Sequence, residues 1–320
     1  MNFNYLVFLV VILSIKYYLD HTSRRRKKKE VLPDGVVKST YEYARSERKR
    51  DRHECNIYTP ETGELRDLPV IVDIHGGCWV HGDKDVYDNY NSQLVKEGNI
   101  VSSLTYRTAD RVCLADQIRD VFAYLHFLED SAEELNLCMD KIMLTGDSAG
   151  ADLALIAYCI NQSEHLQKVF RVRPVNIQIR CLALTHPVCF IDQAGSIPQS
   201  QFLSKYFGIP GLQRLLYGKN YSETEEYQYS VNPSKFIEED MTFPPILLVT
   251  SEGDSTYKYQ TFLLADLLDS CGIDYRIYYE KNKDAPHVFN ISEPLSRLAQ
   301  KCNRYINDFF HTSLKTHGVQ

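Results

Sequence analysis

No Cys-x-x-Cys pair occurs in this 320-residue sequence, and its nine cysteines are an odd number scattered along the chain. Neither a zinc site of the usual spacing nor a complete disulfide framework has support from that pattern. Several cysteines, Cys159 and Cys181 among them, lie in apolar runs. They are expected as reduced, buried small hydrophobes in a reducing compartment. Internal repeats and low-complexity tracts are also missing, which sets aside a repeat architecture. Positive charge is scarce beyond residue 52, where 23 Lys/Arg face 36 Asp/Glu. An acidic body of this kind offers phosphates no basic face, so a nucleic-acid partner is not expected. What remains is 44% hydrophobic and 24% charged, a globular composition. The length suits one large α/β domain with a short appendage, and the core can be built without disulfides.

The appendage is the N-terminus. Residues Phe3 to Ile15 are almost unbroken in their apolar character, and Lys16, Tyr17, Tyr18 and Leu19 extend them. A bilayer needs about 20 such residues. The stretch approaches that if Lys16 snorkels and the two tyrosines sit at the interface. Arg24 to Lys29 follow as six consecutive cations. No charged residue precedes the run and no small-x-small cleavage site follows it, so a cleaved signal peptide is disfavoured. Residues 1–30 are therefore expected to be an uncleaved transmembrane anchor with a basic flank. The positive-inside rule then puts residues 31–320, the catalytic domain, in the cytoplasm. The basic run could also attract anionic lipid. Asn161, Asn220 and Asn290 begin Asn-x-Ser sequons, which matter only if the body is translocated.

From residue 38 onward, strand and helix signals alternate. Lys38–Ala44 and His53–Tyr58 read as an antiparallel pair joined by a charged hairpin. Pro69–His75, Asn99–Tyr106, Lys141–Thr145, Ile177–Thr185, Pro245–Thr250 and Tyr275–Tyr279 read as buried strands. Helical spacing marks Asp116–Leu128, Tyr259–Leu268 and Ser292–Phe310. Ala149–Ile160 is apolar nearly all round and reads as a buried helix. Such alternation predicts an α/β fold, a mostly parallel twisted sheet with helices on both faces. Residues 192–236 break the rhythm with Pro198, Gly208, Pro210 and Gly211 around a local apolar helix pattern. An insertion of that length is expected to be a helical cap over the sheet's C-terminal edge, where such folds place their sites.

Chemistry concentrates in four places. Gly146-Asp147-Ser148-Ala149-Gly150 fits G-x-S-x-G, a turn from strand into helix that exposes a nucleophilic serine. The predicted strand before it and helix after it supply the required context. Upstream, His75-Gly76-Gly77-Cys78-Trp79 follows a strand. Two successive glycines let backbone N–H groups turn inward, so Gly76 and Gly77 are candidate oxyanion donors, with the Ala149 N–H as a third. His75 is expected to brace the loop. A general base must be a histidine late in the chain, and His287 lies in a loop between the last strand and the last helix. His186 precedes the acid and is set aside on chain order. The acid should follow a strand; Asp254 in Ser251-Glu252-Gly253-Asp254 is the choice and Glu252 the alternative, while Asp284 is taken as a loop residue.

Together, His-Gly-Gly-x-Trp about 70 residues before Gly-Asp-Ser-Ala-Gly, then an Asp after a strand and a late His, resemble the hormone-sensitive-lipase-like esterases of the α/β-hydrolase superfamily. The resemblance spans roughly residues 38–312. It implies that Ser148, Asp254 and His287 form a catalytic triad, and that Gly76, Gly77 and Ala149 form the oxyanion hole. His-Gly-Gly-x-Trp is similar also to kynurenine-formamidase-like and isoprenylcysteine-methylesterase-like relatives. The chain departs from the commoner family pattern at Cys78, where many members carry a third Gly, and at Asp254-Ser255-Thr256, where they carry Asp-Pro-Leu. The expected activity is hydrolysis of small-molecule carboxylic esters through an acyl-enzyme on Ser148, with short-chain or lipophilic acyl groups. No cofactor or metal is called for, and the oligomeric state is not indicated. The alternatives are an amidase of the formamidase type and a catalytically inactive ligand-binding homologue.

Overall fold

The computed structural model describes residues 3–27, 32–45, 51–193 and 209–316. Its eight strands are β1 (Val36–Glu42), β2 (Glu54–Pro60), β3 (Val70–Ile74), β4 (Ile100–Leu104), β5 (Ile142–Asp147), β6 (Ile179–Thr185), β7 (Ile246–Ser251) and β8 (Tyr275–Glu280). They lie in the order β1-β2-β4-β3-β5-β6-β7-β8. The β1–β2 and β2–β4 pairs are antiparallel, and every other pair is parallel. The charged hairpin tip expected between β1 and β2 falls partly on residues 46–50, outside the described residues.

The strands β3, β4, β5 and β7 are buried at every position. Continuous apolar runs, not alternating ones, suit a parallel sheet covered on both faces. Successive residues still point to opposite sides. Val70, Val72 and Ile74 enter one core with Ile142 and Leu144, while Ile71 and Met143 enter the other. The first core is closed by α3 (Leu114–Asp130), α4 (Ala149–Gln162), α5 (Glu164–Phe170) and, after β7, α8 (Lys258–Ser270). The second is closed by α2 (Asp88–Lys96) and the last helix, α10 (Arg297–Thr316), through Leu94, Val95, Cys302, Ile306 and Phe310. The last helix was expected from residue 292; Pro294, which cannot continue a helix, separates α10 from the single turn α9 (Phe289–Ser292).

The N-terminal anchor is overturned. Residues 3–27 do form one helix, α1 (Phe3–Lys27), but no helix among the described residues is long and apolar enough to cross a membrane. The apolar stretch, Phe3 to Ile15, covers only half of the helix, about 20 Å at 1.5 Å per residue against a hydrocarbon core of about 30 Å. The helix instead joins the body. Phe8 and Ile12 are buried in the first core. A Cβ on Gly211 of α6 (Ile209–Tyr217) would lie 2.7 Å from the Phe8 ring, so that glycine is what lets the two helices meet. The Arg214 guanidinium sits 4.1 Å above the Tyr5 ring. Lys16 does not snorkel; its Nζ donates to the Val80 carbonyl at 2.6 Å. Asp20 Oδ1 pairs with His81 Nδ1 at 2.6 Å. The single-pass localisation and the cytoplasmic placement of the body both rested on that anchor and fall with it. Of the expected cap, residues 194–208 lie outside the described residues; α6, the turn α7 (Glu225–Gln228) and the segments around them are what is seen.

Candidate active site

Strand register assembles the site. Asp147 pairs with Thr185, so the residues one step further, Ser148 and His186, leave the sheet side by side. Ile74 pairs with Gly146, which sets the His75-Gly76-Gly77 loop against the same edge. Thr185 pairs with Val249, and Ser251 with Glu280, which brings the loops carrying Asp254 and His287 to that edge as well. These parallel strands all end there, so their following loops converge.

Ser148 sits between β5 and α4 at φ 51° and ψ −116°, outside the ordinary regions for a residue with a Cβ. Its flanking glycines answer to space. A Cβ on Gly150 would lie 2.0 Å from the Ile74 carbonyl oxygen, and one on Gly146 would lie 2.5 Å from the Gly150 carbonyl. Backbone bonds hold the turn: Ser148 N–H donates to Thr185 O at 2.9 Å, and Val188 N–H donates to Ser148 O at 3.2 Å. The serine is 8% exposed.

The upstream loop coils tightly. Gly77, Cys78 and Trp79 take φ of 112°, 55° and 59° in succession. Val80 and His81 N–H both donate to the Gly77 carbonyl. The His75 ring stacks on Tyr106 at 4.2 Å, the bracing role expected of it. Gly76 is not the donor the sequence suggested. Its N–H donates to Asp147 Oδ1 at 2.8 Å, and a Cβ there would strike that carboxylate at 2.4 Å. Among the described residues, the N–H groups of Gly77, Cys78 and Ala149 enter no hydrogen bond of the protein's own network. Those three, with Cys78 in place of Gly76, are candidate donors to an oxyanion.

Asp147 is buried, which pushes its carboxyl up to about 6; the Gly76 N–H, the Tyr87 hydroxyl at 3.0 Å and His287 work against that rise. Asp73, fully buried beneath it, is raised further by burial and by the Asp147 charge.

The candidate acid and base meet at hydrogen-bond distance. His287 Nδ1 lies 2.6 Å from Asp254 Oδ2. A second ring shares that oxygen: His186 Nδ1 is 2.8 Å away. Oδ1 accepts the Tyr257 N–H at 2.9 Å. Burial by itself would raise the Asp254 carboxyl, but the His186 and His287 donors outweigh it and hold the group far below the usual carboxylate range. Burial lowers His186 to about 4, against the pull of Asp254. The two loops are pinned together where Ser251 Oγ donates to Ala285 O at 2.8 Å, and where a Cβ on Gly253 would lie 2.2 Å from the same oxygen. The rival acids are elsewhere. Glu252 pairs with Lys258 at 2.9 Å and with the Tyr279 hydroxyl, and Asp284 lies exposed in its loop.

His186 is the residue that sequence reasoning missed. Chain order screens candidates for the base, and says nothing about a second donor to the acid. Its position directly after β6, at the edge where Ser148 emerges, was the available signal. The His186, Asp254 and His287 ligand-type atoms lie within 4.8 Å of one another, a spacing that could hold a cation. Both Nδ1 atoms aim at one carboxylate oxygen, which is the geometry of N–H donors on an acceptor.

The sheet order, the serine on a strand-to-helix turn and the His-Asp pair on later loops define an α/β-hydrolase. The chain belongs to the BD-FAE family, whose model matches residues 55–267. It is 22% identical over 247 residues to the probable carboxylesterase 5 of Arabidopsis thaliana, covering 73% of this chain and 74% of that one. It is 27% identical to the arylesterase of Saccharolobus solfataricus, covering 72% of each. Among solved structures, esterase B from Lactobacillus Rhamnosis (HN001) superposes with a TM-score of 0.88 at 26% identity, covering 98% of this chain and 97% of that one.

Proposed function

We propose that this α/β-hydrolase cleaves carboxylic esters through an acyl-enzyme on Ser148. Ester hydrolysis as such is supported by the carboxylesterase and arylesterase relatives and by the likeness to esterase B. The observation that carries the residue assignment is the 2.6 Å bond from His287 Nδ1 to Asp254 Oδ2, on the same sheet edge as a serine held at φ 51°. With its Nδ1–H donating to Asp254, His287 presents an unprotonated Nε2 as base. Ser148 Oγ adds to the ester carbonyl carbon as its proton passes to Nε2. The carbonyl oxygen becomes an oxyanion, received by the Gly77, Cys78 and Ala149 N–H groups, each worth on the order of 10²–10³ in rate. Collapse breaks the bond to the alcohol oxygen, which leaves with the proton from His287. Water then repeats the cycle and frees the acid.

Short-chain or lipophilic acyl groups are the proposed substrates. A structure of esterase B is described as inhibited by a C4-C4 tributyrin phosphonate, which supports that reading by likeness. Residues 192–236, of which 194–208 lie outside the described residues, are the proposed cap over the catalytic domain. The same groups can serve amide hydrolysis, so the deciding assay compares p-nitrophenyl esters, from acetyl to lauroyl, with N-formylkynurenine. Ester turnover greatest at short acyl chains, and lost in Ser148→Ala, is expected; formamide turnover exceeding it would replace ester by amide, and no turnover of either by folded protein would favour an inactive binding homologue.

A further inference from the structure

The shared oxygen of Asp254 does more than accept one histidine. We propose that His186 is a positioning residue for the Asp254–His287 pair, a fixed Nδ1–H donor that orients the carboxylate and tempers its pull on His287. The proposal rests on the assignment of His287 as the base.

Geometry carries it. The side chain of His186 is fully buried and that of Asp254 is 1% exposed, so neither contact is a surface ion pair that solvent could replace. Asp254 Oδ2 takes His186 and His287, at 2.8 and 2.6 Å, while Oδ1 takes the Tyr257 N–H. Three donors leave the carboxylate no freedom to swing. The backbone of His186 is itself held in the left-handed region, at φ 46°, by its N–H bond to Val249 O at 2.7 Å. Its ring stands edge-on to His287 at 5.2 Å and to Phe289 at 5.8 Å. Among the described residues, the hydrogen bond its side chain makes is the one to Asp254; His287 and Phe289 meet it as rings.

The second nitrogen fixes the protonation state. His186 Nε2 is buried and has no hydrogen-bond partner among the described residues. A proton there would be an unsatisfied donor on a buried cation, which is expensive. The ring is therefore neutral, with its single proton on Nδ1. The titratable groups facing it are Asp254 and His287; Phe289 of α9 and the β7 backbone, packed against it, are neutral.

Two N–H donors on one oxygen drain its negative charge. His287 then meets a weaker counter-ion than an unshared aspartate would be, and its imidazolium is less favoured. Removing the His186 donor returns charge to Oδ2 and stabilises the imidazolium.

The test is the pH profile of kcat/KM on a p-nitrophenyl ester. In His186→Phe the acid limb moves upward by roughly half a unit to one unit, and the plateau falls about tenfold through kcat, since loss of a charge-assisted hydrogen bond is of that order. KM stays near the wild-type value because the His186 side chain is fully buried and offers a substrate no surface. His186→Asn, whose Nδ2–H replaces Nδ1–H, returns the limb to its wild-type position; a purely packing role predicts no such rescue. A folded Phe variant with an unshifted limb and unchanged kcat overturns the proposal. Should that variant not fold, the ¹⁵N-histidine spectrum decides, with the His186 resonance assigned by its absence from His186→Asn. An Nδ1–H tautomer that does not titrate between about pH 5 and 9 is expected, and titration within that range overturns the proposal. Failure of the catalytic assignment looks different: His287→Ala or Ser148→Ala would retain activity whatever His186 does.

Discussion

The catalytic edge and the N-terminal helix are held in place by different means. At the edge, backbone meets backbone so closely that a methyl group has no room at Gly146, Gly150 or Gly253. Among the described residues, seven non-glycine positions have positive φ, and five of them (Cys78, Trp79, Ser148, His186 and Val288) lie in the loops that build the site. Such conformations cost of order 1–3 kcal/mol each and persist only where the surroundings over-determine them. Helix α1 is attached by side chains alone: Phe8 on Gly211, Lys16 on Val80, Asp20 on His81 and Tyr5 under Arg214. The difference teaches where the molecule is brittle. Strain and close approach are concentrated where the proposed donors, nucleophile and base would have to be fixed to within fractions of an ångström. The helix tolerates change one contact at a time.

Substitutions that add or remove a few atoms should separate the two regions. The largest effect is expected from Gly150→Ala, whose Cβ would sit 2.0 Å from a backbone oxygen with nowhere to move. A loss of about 3 kcal/mol or more in denaturant unfolding, with esterase activity abolished, is predicted; a wild-type midpoint would show that the edge is softer than described. Next comes Phe8→Ala, which empties a buried ring from the α1 contact and should cost about 3 kcal/mol. Here the plateau pH dependence of kcat should be unchanged at a temperature where the variant is folded. If kcat falls as steeply as in Gly150→Ala, then α1 is part of the site and the comparison breaks.

Asp147 sharpens the contrast from the other side. Burial lifts its carboxyl from 3.8 to about 6, so ionising it in the folded state opposes folding. Below about pH 4 the group is protonated whether folded or not, and there is no penalty. The penalty grows as the pH rises to about 6 and is constant above. Asp147→Asn, which keeps an acceptor for the Gly76 N–H, should therefore stabilise the protein above about pH 6 by about 1–3 kcal/mol. The gain should vanish near pH 4. A Tm difference independent of pH would contradict this account of the edge. The smallest effect belongs to Asp20→Ala. Its partly exposed pair with His81 should contribute under about 1 kcal/mol, measurable as a small drop in Tm that does not alter kcat/KM.

The positions of Ser148, Asp254 and His287, the proposed triad, were legible because each depended on local context: a strand, a turn and an order along the chain. The parallel strands were legible for the same reason, being short β-branched runs. What was hidden depended on direction or on distant partners. Gly76-Gly77 announces room for backbone donors but not which way each N–H points, and the Asp147 carboxylate claims the first. The helix α2 buries Tyr90, Leu94 and Val95 among polar neighbours, too few apolar positions to mark its period. The apolar character of α1 was real, but Phe8 and Ile12 bury it against Gly211 and the core, and the helix is not long and apolar enough to cross a membrane. His186 had no motif at all; only the pairing of β6 with β7 brings it to Asp254.

The central claim is that Ser148 is the nucleophile, activated by His287 on Asp254. It is tested most directly by treating folded wild-type protein with a fluorophosphonate and locating the adduct by peptide mass spectrometry. One equivalent on Ser148 is predicted, abolished in Ser148→Ala and strongly slowed in His287→Ala. No adduct on the folded protein, or an adduct on another residue, would contradict it.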